Sequence, residues 1–70
     1  MPTISSHKLI EILKKEGFQY QVGRGKGDHR IFKKGELTAP PIPHPKKDLP
    51  LGTVRSILKG CGIDPAKYIR

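Results

Sequence analysis

Phe18-Gln19-Tyr20-Gln21-Val22, then Asp28-His29-Arg30-Ile31-Phe32-Lys33, then Glu36-Leu37-Thr38-Ala39: these three stretches decide the fold. In the first, Phe18, Tyr20 and Val22 alternate with Gln19 and Gln21, the period of a half-buried strand. The second points His29 and Ile31 to one side and Arg30 and Phe32 to the other. Lys34-Gly35 is a turn signal, and Glu36 to Ala39 returns as a third short strand. Strands joined by such short turns pair antiparallel.

Outward from the strands the period changes to that of helices. Ser5 reads as an N-cap, with Ile4 before it placed to pack on Leu9. Leu9, Ile10, Ile12 and Leu13 recur at helical spacing, with Lys8, Glu11, Lys14 and Lys15 on the other side. This predicts a helix from about Ser6 to Glu16, with Gly17 just past its end. On the far side, Ala39-Pro40-Pro41-Ile42-Pro43-His44-Pro45 reads as an extended connection, too proline-rich for a ladder or a helix interior. Leu51, Val54, Ile57 and Leu58 space a second helix over Leu51 to Lys59, ended by Gly60 or Gly62. Asp64-Pro65 opens one short helical turn through Ala66 to Ile69. The order is α-β-β-β-α: an α+β domain whose three-stranded antiparallel sheet carries two amphipathic helices on one face.

A chain of 70 residues is one domain, 1–70. At this size only about 60% of the unfolded surface is buried, so the core must be compact. The single cysteine, Cys61, excludes an internal disulfide and reads as a small core residue. The N-terminal stretch breaks its apolar residues with Ser, His, Lys and Glu, and no apolar run approaches the roughly 18 residues of a membrane span. A cytoplasmic protein without membrane contact is expected. Fourteen Lys and Arg against six Asp and Glu give a net charge of +8, which attracts polyanions, nucleic acid first among them.

The densest stretch for chemistry is Gly23-Arg24-Gly25-Lys26-Gly27-Asp28-His29-Arg30. Arg24, Lys26 and Arg30 offer cationic donors, and the glycines let backbone N–H groups approach a phosphate. It is neither a P-loop nor a dinucleotide fingerprint, because it lacks the Lys-Ser/Thr ending and is followed by a strand. The residues alone also fit a solvated hairpin loop. His29 adds a side chain that takes or gives a proton near neutral pH. RNA has use for such a group, since its deprotonated 2′-OH attacks the adjacent phosphodiester. His7, in a first helical turn, reads as exposed. His44, in Pro43-His44-Pro45-Lys46-Lys47, sits on a rigid loop from which it could approach a ligand, although such a histidine is more often solvated. Metal-ligand spacing is absent, so no metal and no cofactor are expected. Lys46 and Lys47 arrive just before the second helix, where Asp48 or Thr53 is placed to cap it and Thr53 to donate to a phosphate. Together these segments form a surface for two stretches of a sugar–phosphate backbone.

With those segments in place, the chain resembles the HicA-type toxins, the mRNA interferase half of HicAB toxin–antitoxin modules (the YcfA-like family). The resemblance rests on Ser5-Ser6 opening an amphipathic helix, on Lys26-Gly27-Asp28-His29, and on the long stretch from Pro45 to Ile63 with its Pro-Lys-Lys-Asp-Leu-Pro-x-Gly-Thr-x-x-Ser-Ile-Leu-Lys pattern. It implies a fold like the double-stranded-RNA-binding domain (dsRBD-like) and metal-independent cleavage of mRNA through one strand histidine, matched here by His29. It also implies silencing by a cognate HicB-type antitoxin, with operator DNA contacted only through that antitoxin. The usual Gly-Ser-His-His reads Gly27-Asp28-His29-Arg30 here, so Asp and Arg flank the matching histidine. The competing reading is a non-catalytic RNA-binding module of similar fold.

Overall fold

The computed structural model describes residues 3–23 and 29–69. Strand β1 (Thr3–Ile4) leads into helix α1 (Ser6–Lys15). Ser5 caps the helix as its sequence implies, its Oγ accepting the Lys8 N–H at 3.1 Å. Helix α2 (Leu51–Gly60) follows Pro50, which has no side chain able to cap it. Both helices close the same way. The Phe18 N–H bonds back to the Leu13 carbonyl and the Gly17 N–H to that of Lys14; Ile63 to Leu58 and Gly62 to Lys59 repeat the pattern. This six-to-one closure requires a left-handed residue just past the cap, and Gly17 (φ 96°) and Gly62 (φ 74°) supply it. It also delivers Phe18 and Ile63, the residues after those glycines, into the core beside Leu13 and Leu58.

The strand region is α+β and antiparallel as expected, but more finely divided. The strand after the glycine-rich stretch consists of β3 (His29–Arg30) and β4 (Phe32–Lys34). Strand β2 (Gln19–Tyr20) pairs with one edge of β4, Tyr20 opposite Phe32. On the other edge, β5 (Leu37–Thr38) pairs with β4 and β6 (Ile42–Pro43) with β3. Three corrections to the sequence reading follow. The first strand is shorter, since Gln21 makes the last bond, to the Ile31 carbonyl, and Val22 is 82% exposed ahead of the turn at Gly23. The proline-rich stretch does carry a ladder: Pro43 faces His29 on a strand paired on one side only, where a missing N–H is tolerated. Finally, β7 (Leu49–Pro50) pairs with β1, a two-residue contact that no alternation signals.

One apolar cluster joins all of this. Leu9, Ile12 and Leu13 of α1 meet Val54, Ile57 and Leu58 of α2 over Phe32, Ala39 and Ile42. Burying each such side chain stabilises the fold by roughly 1.5–3 kcal/mol, the main favourable contribution in so small a chain. Cys61 belongs to this cluster, as expected, and burial pushes its thiol up to about 11. Gly60 lies against Pro40; a Cβ there would come within 2.8 Å of the ring. Among the described residues no helix is long and apolar enough to cross a membrane.

The tail is a 3-10 turn (Pro65–Lys67) capped by Asp64, and it is clamped to the end of α1. The Glu16 carboxylate accepts from the Tyr68 hydroxyl and from Lys67 Nζ at 2.9 Å. These two bonds, the tyrosine's first, hold the Glu16 carboxyl below its ordinary 4.5. A carboxyl depressed by folding stabilises the protein above its unfolded value, and that contribution is lost as pH falls through the folded one. The wild-type melting temperature is therefore expected to drop as pH falls below about 4.5. Glu16→Gln should melt lower than wild type at pH 7 and show a flatter acid limb. Thermal melts from pH 3 to 7 check this, and parallel acid limbs would refute it.

Candidate functional site

The site is built on the junction of α1 with the loop after β6. Ser6, the first residue of α1, is only 1% exposed. Its N–H donates to the Lys46 carbonyl at 2.8 Å, and its Oγ accepts the Lys46 N–H at 2.9 Å. The same Oγ lies 2.7 Å from Nδ1 of His44. A hydroxyl has one hydrogen and two lone pairs, so after accepting from Lys46 it can still either donate to Nδ1 or accept from it. Ser6 therefore holds the ring in both of its protonation states. Two of these bonds fix the backbone of the loop and the third fixes the imidazole.

His44 lines a cleft of about 230 Å³ with Ile10 and Lys14 of α1, Tyr20 of β2, Arg30 of β3 and Phe32 of β4. Strand register explains this company. Directly paired residues share a face, so Tyr20 stands beside Phe32 and Arg30 beside Ile42, on the face covered by the helices. The Tyr20 ring is 5.6 Å from that of Phe32, tilted by 45°, and 40% exposed. The cleft thus combines an aromatic wall, two cations and a positioned imidazole.

The residues expected to carry function are distributed around this cleft. His29 is exposed on β3, opposite Pro43. Alternation turns it away from Arg30 and hence from the cleft face, as the sequence predicts. Arg30 is half-buried and lines the cleft. Arg24 and Lys26 lie outside the described residues. Lys46 and Lys47 are exposed in the loop between β6 and β7. Thr53 is exposed in the first turn of α2, and Asp48, instead of capping that helix, accepts from the Thr3 hydroxyl at 3.1 Å. Sequence reasoning passed over His44, Ser6, Lys14 and Tyr20 as site residues. Only the rigid Pro43-His44-Pro45 setting hinted at His44; its bond to Ser6 spans 38 residues and leaves no local trace.

Fold and site together define a small, strongly basic α+β domain with one histidine exposed on a strand and another lining a cleft. Residues 6–63 match the family described as HicA toxin of bacterial toxin–antitoxin systems, and the chain belongs to that family. The match runs from the buried serine to the end of α2's closure, so it takes in every element that shapes the cleft. Membership in such a family makes a cognate antitoxin the protein's partner. Among curated proteins none matches the chain.

Ser6→Ala removes the acceptor of the part-buried Lys46 N–H and the support of His44. It is expected to cost about 1–3 kcal/mol. Urea unfolding checks this: the midpoint should fall with an unchanged slope, and an unmoved midpoint would show that the junction does not stabilise the fold.

Proposed function

We propose that the protein is the toxin of a type II toxin–antitoxin system and acts as a metal-independent endoribonuclease on mRNA. His29 is its proton-transfer residue, Arg24, Lys26 and Arg30 hold the scissile phosphate, and Lys46, Lys47 and Thr53 position the strand. Cleavage of this kind removes the proton from a 2′-OH while the 2′-oxygen bonds to phosphorus. The bond to the 5′-oxygen then breaks as that oxygen takes up a proton. The products end in a 2′,3′-cyclic phosphate and a 5′-OH. Translation and growth stop until a HicB-type antitoxin covers the site, and operator DNA is reached only through that antitoxin. The action takes place in the cytoplasm.

The observation that carries this reading is the family membership of residues 6–63 together with His29 standing exposed on β3. An exposed imidazole on the strand surface is open to a long polyanion without any rearrangement of the core. The formal charge of +8 favours the same ligand, and so supports a second reading in which the domain blocks translation by occupancy alone.

The deciding assay incubates purified protein with mRNA in the presence of a chelator, wild type against His29→Ala. Wild type should release fragments with cyclic-phosphate ends, and His29→Ala should cut about 10²–10⁴-fold more slowly. Expression of wild type should arrest growth and expression of the variant should not. A folded His29→Ala protein as toxic as wild type sinks the assignment of His29. RNA that is shifted but never cut selects the occupancy reading.

A further inference from the structure

We propose that the cleft between α1 and the sheet seats one nucleotide of the RNA, and that His44, positioned by Ser6, is the second proton-transfer group. This rests on the cleavage reading above and extends it. Transesterification moves two protons, one off the 2′-oxygen and one onto the 5′-oxygen, and a single histidine leaves one transfer unassigned. His29 and Pro43 face each other in the ladder, and His44 is the next residue in the chain, just past the end of β6. His44 lines the cleft while His29 is exposed on the other face of β3, so this role requires an RNA strand that passes from the cleft around the β6 edge to reach both rings. One neutral ring accepts the 2′-proton as the 2′-oxygen bonds to phosphorus. The other, protonated, releases its proton to the 5′-oxygen as the phosphorus–oxygen bond breaks.

Three features set His44 apart from an ordinary surface histidine. It is half-buried and bound at 2.7 Å by a serine that is itself almost wholly buried and anchored to the Lys46 backbone. That is how an imidazole is oriented by a third group in acid–base catalysis. Its ring contributes to a cleft whose two charged side chains, Lys14 from α1 and Arg30 from β3, are both cations suited to a phosphate. The wall of the cleft is the half-exposed ring of Tyr20, backed by Phe32, on which an unstacked base can lie. At about 230 Å³ the cleft is smaller than the roughly 300–1,000 Å³ of drug-sized pockets, so it takes no more than a single unit of a polymer.

Two measurements on the full chain test this. The first titrates uridine 3′-monophosphate and adenosine 3′-monophosphate, separately, and follows the three imidazoles and the tyrosine rings by NMR. The His44 and Tyr20 signals should shift saturably, and the exposed-site variant Tyr20→Ala should bind about tenfold more weakly. Shifts that spare His44 and Tyr20, or unchanged binding by Tyr20→Ala, overturn the nucleotide site. The second measures cleavage of an oligoribonucleotide against pH for wild type, His44→Gln and Ser6→Ala, each with a matched thermal melt. His44→Gln should lose about a hundredfold or more in kcat together with one limb of the profile. Ser6→Ala should displace that limb while leaving KM near the wild-type value. Wild-type cleavage with an intact profile in folded His44→Gln refutes the role of His44 and leaves the cleavage reading standing. Wild type that cuts no RNA while its His44 and Tyr20 still respond to nucleotide refutes the cleavage reading, and the proton-transfer role with it, but supports the seat.

Discussion

The hydroxyl of Ser6 is the constraint on which the site depends. It is a polar group set at the start of a helix inside an otherwise apolar junction, and it is fully used: one bond from Lys46, one with His44, and the neighbouring N–H given to the Lys46 carbonyl. Burying a hydroxyl without partners costs on the order of 1–3 kcal/mol in a protein, so only one relative arrangement of α1 and the 44–46 loop avoids the penalty. Apolar packing is far less exacting about direction. Leu9, Leu13 and Val54 fill space, whereas Ser6 fixes the position of α1 along the loop after β6 and thereby the opening of the cleft.

That polar junction explains how a proline-rich segment comes to belong to the site. Pro40, Pro41, Pro43 and Pro45 deny residues 40–45 the regular bonds of a strand interior or a helix. The segment instead uses a two-residue ladder against His29 and Arg30, a contact between Pro40 and Gly60, and the Ser6 bonds. A chain stiffened this way loses little entropy when it is fixed. It can therefore carry His44 at a defined position without a longer strand to support it.

The sequence made most of this architecture legible. Helical spacing placed α1 and α2 to within a residue or two, because each has a full apolar stripe and a glycine-dependent closure. The chemistry of the central strand was also visible: alternation put Arg30 and His29 on opposite faces, and register bears this out. What escaped were contacts with no periodic signal. Two residues are too few for alternation, so the pairing of Thr3–Ile4 with Leu49–Pro50 could not be read. Val22 continued the pattern of Phe18 and Tyr20, yet the turn at Gly23 leaves it in solvent. His44 looked solvated because the residue that holds it lies 38 positions away, and Ser6 itself was read only as a residue of the helix start. The family resemblance compensated for much of this, since it covers the elements that long-range contacts assemble.

The distribution of acidic groups shows why the domain still presents a positive field after folding. There are six carboxylate side chains in the sequence, and four are occupied locally. Glu11 meets His7 at 3.2 Å, Glu16 holds the tail, Asp48 accepts from Thr3, and Asp64 caps the last turn. Among the described lysines only Lys67 pairs with a carboxylate. The acids thus stabilise helix ends and joints, and Lys46 and Lys47 are left beside the site uncompensated. Self-repulsion at this charge works against so small a core, and it is relieved whenever a polyanion or an acidic protein surface binds. In the proposed function, substrate and antitoxin compete for one cationic face, and each neutralises what folding leaves exposed. Both attractions weaken with salt over the same length of about 8–10 Å, so ionic strength alone does not choose between them. On that reading, selection between substrate and antitoxin has to come from shape, and the rigid part of the shape near these cations is the cleft bounded by the Ser6–His44 junction.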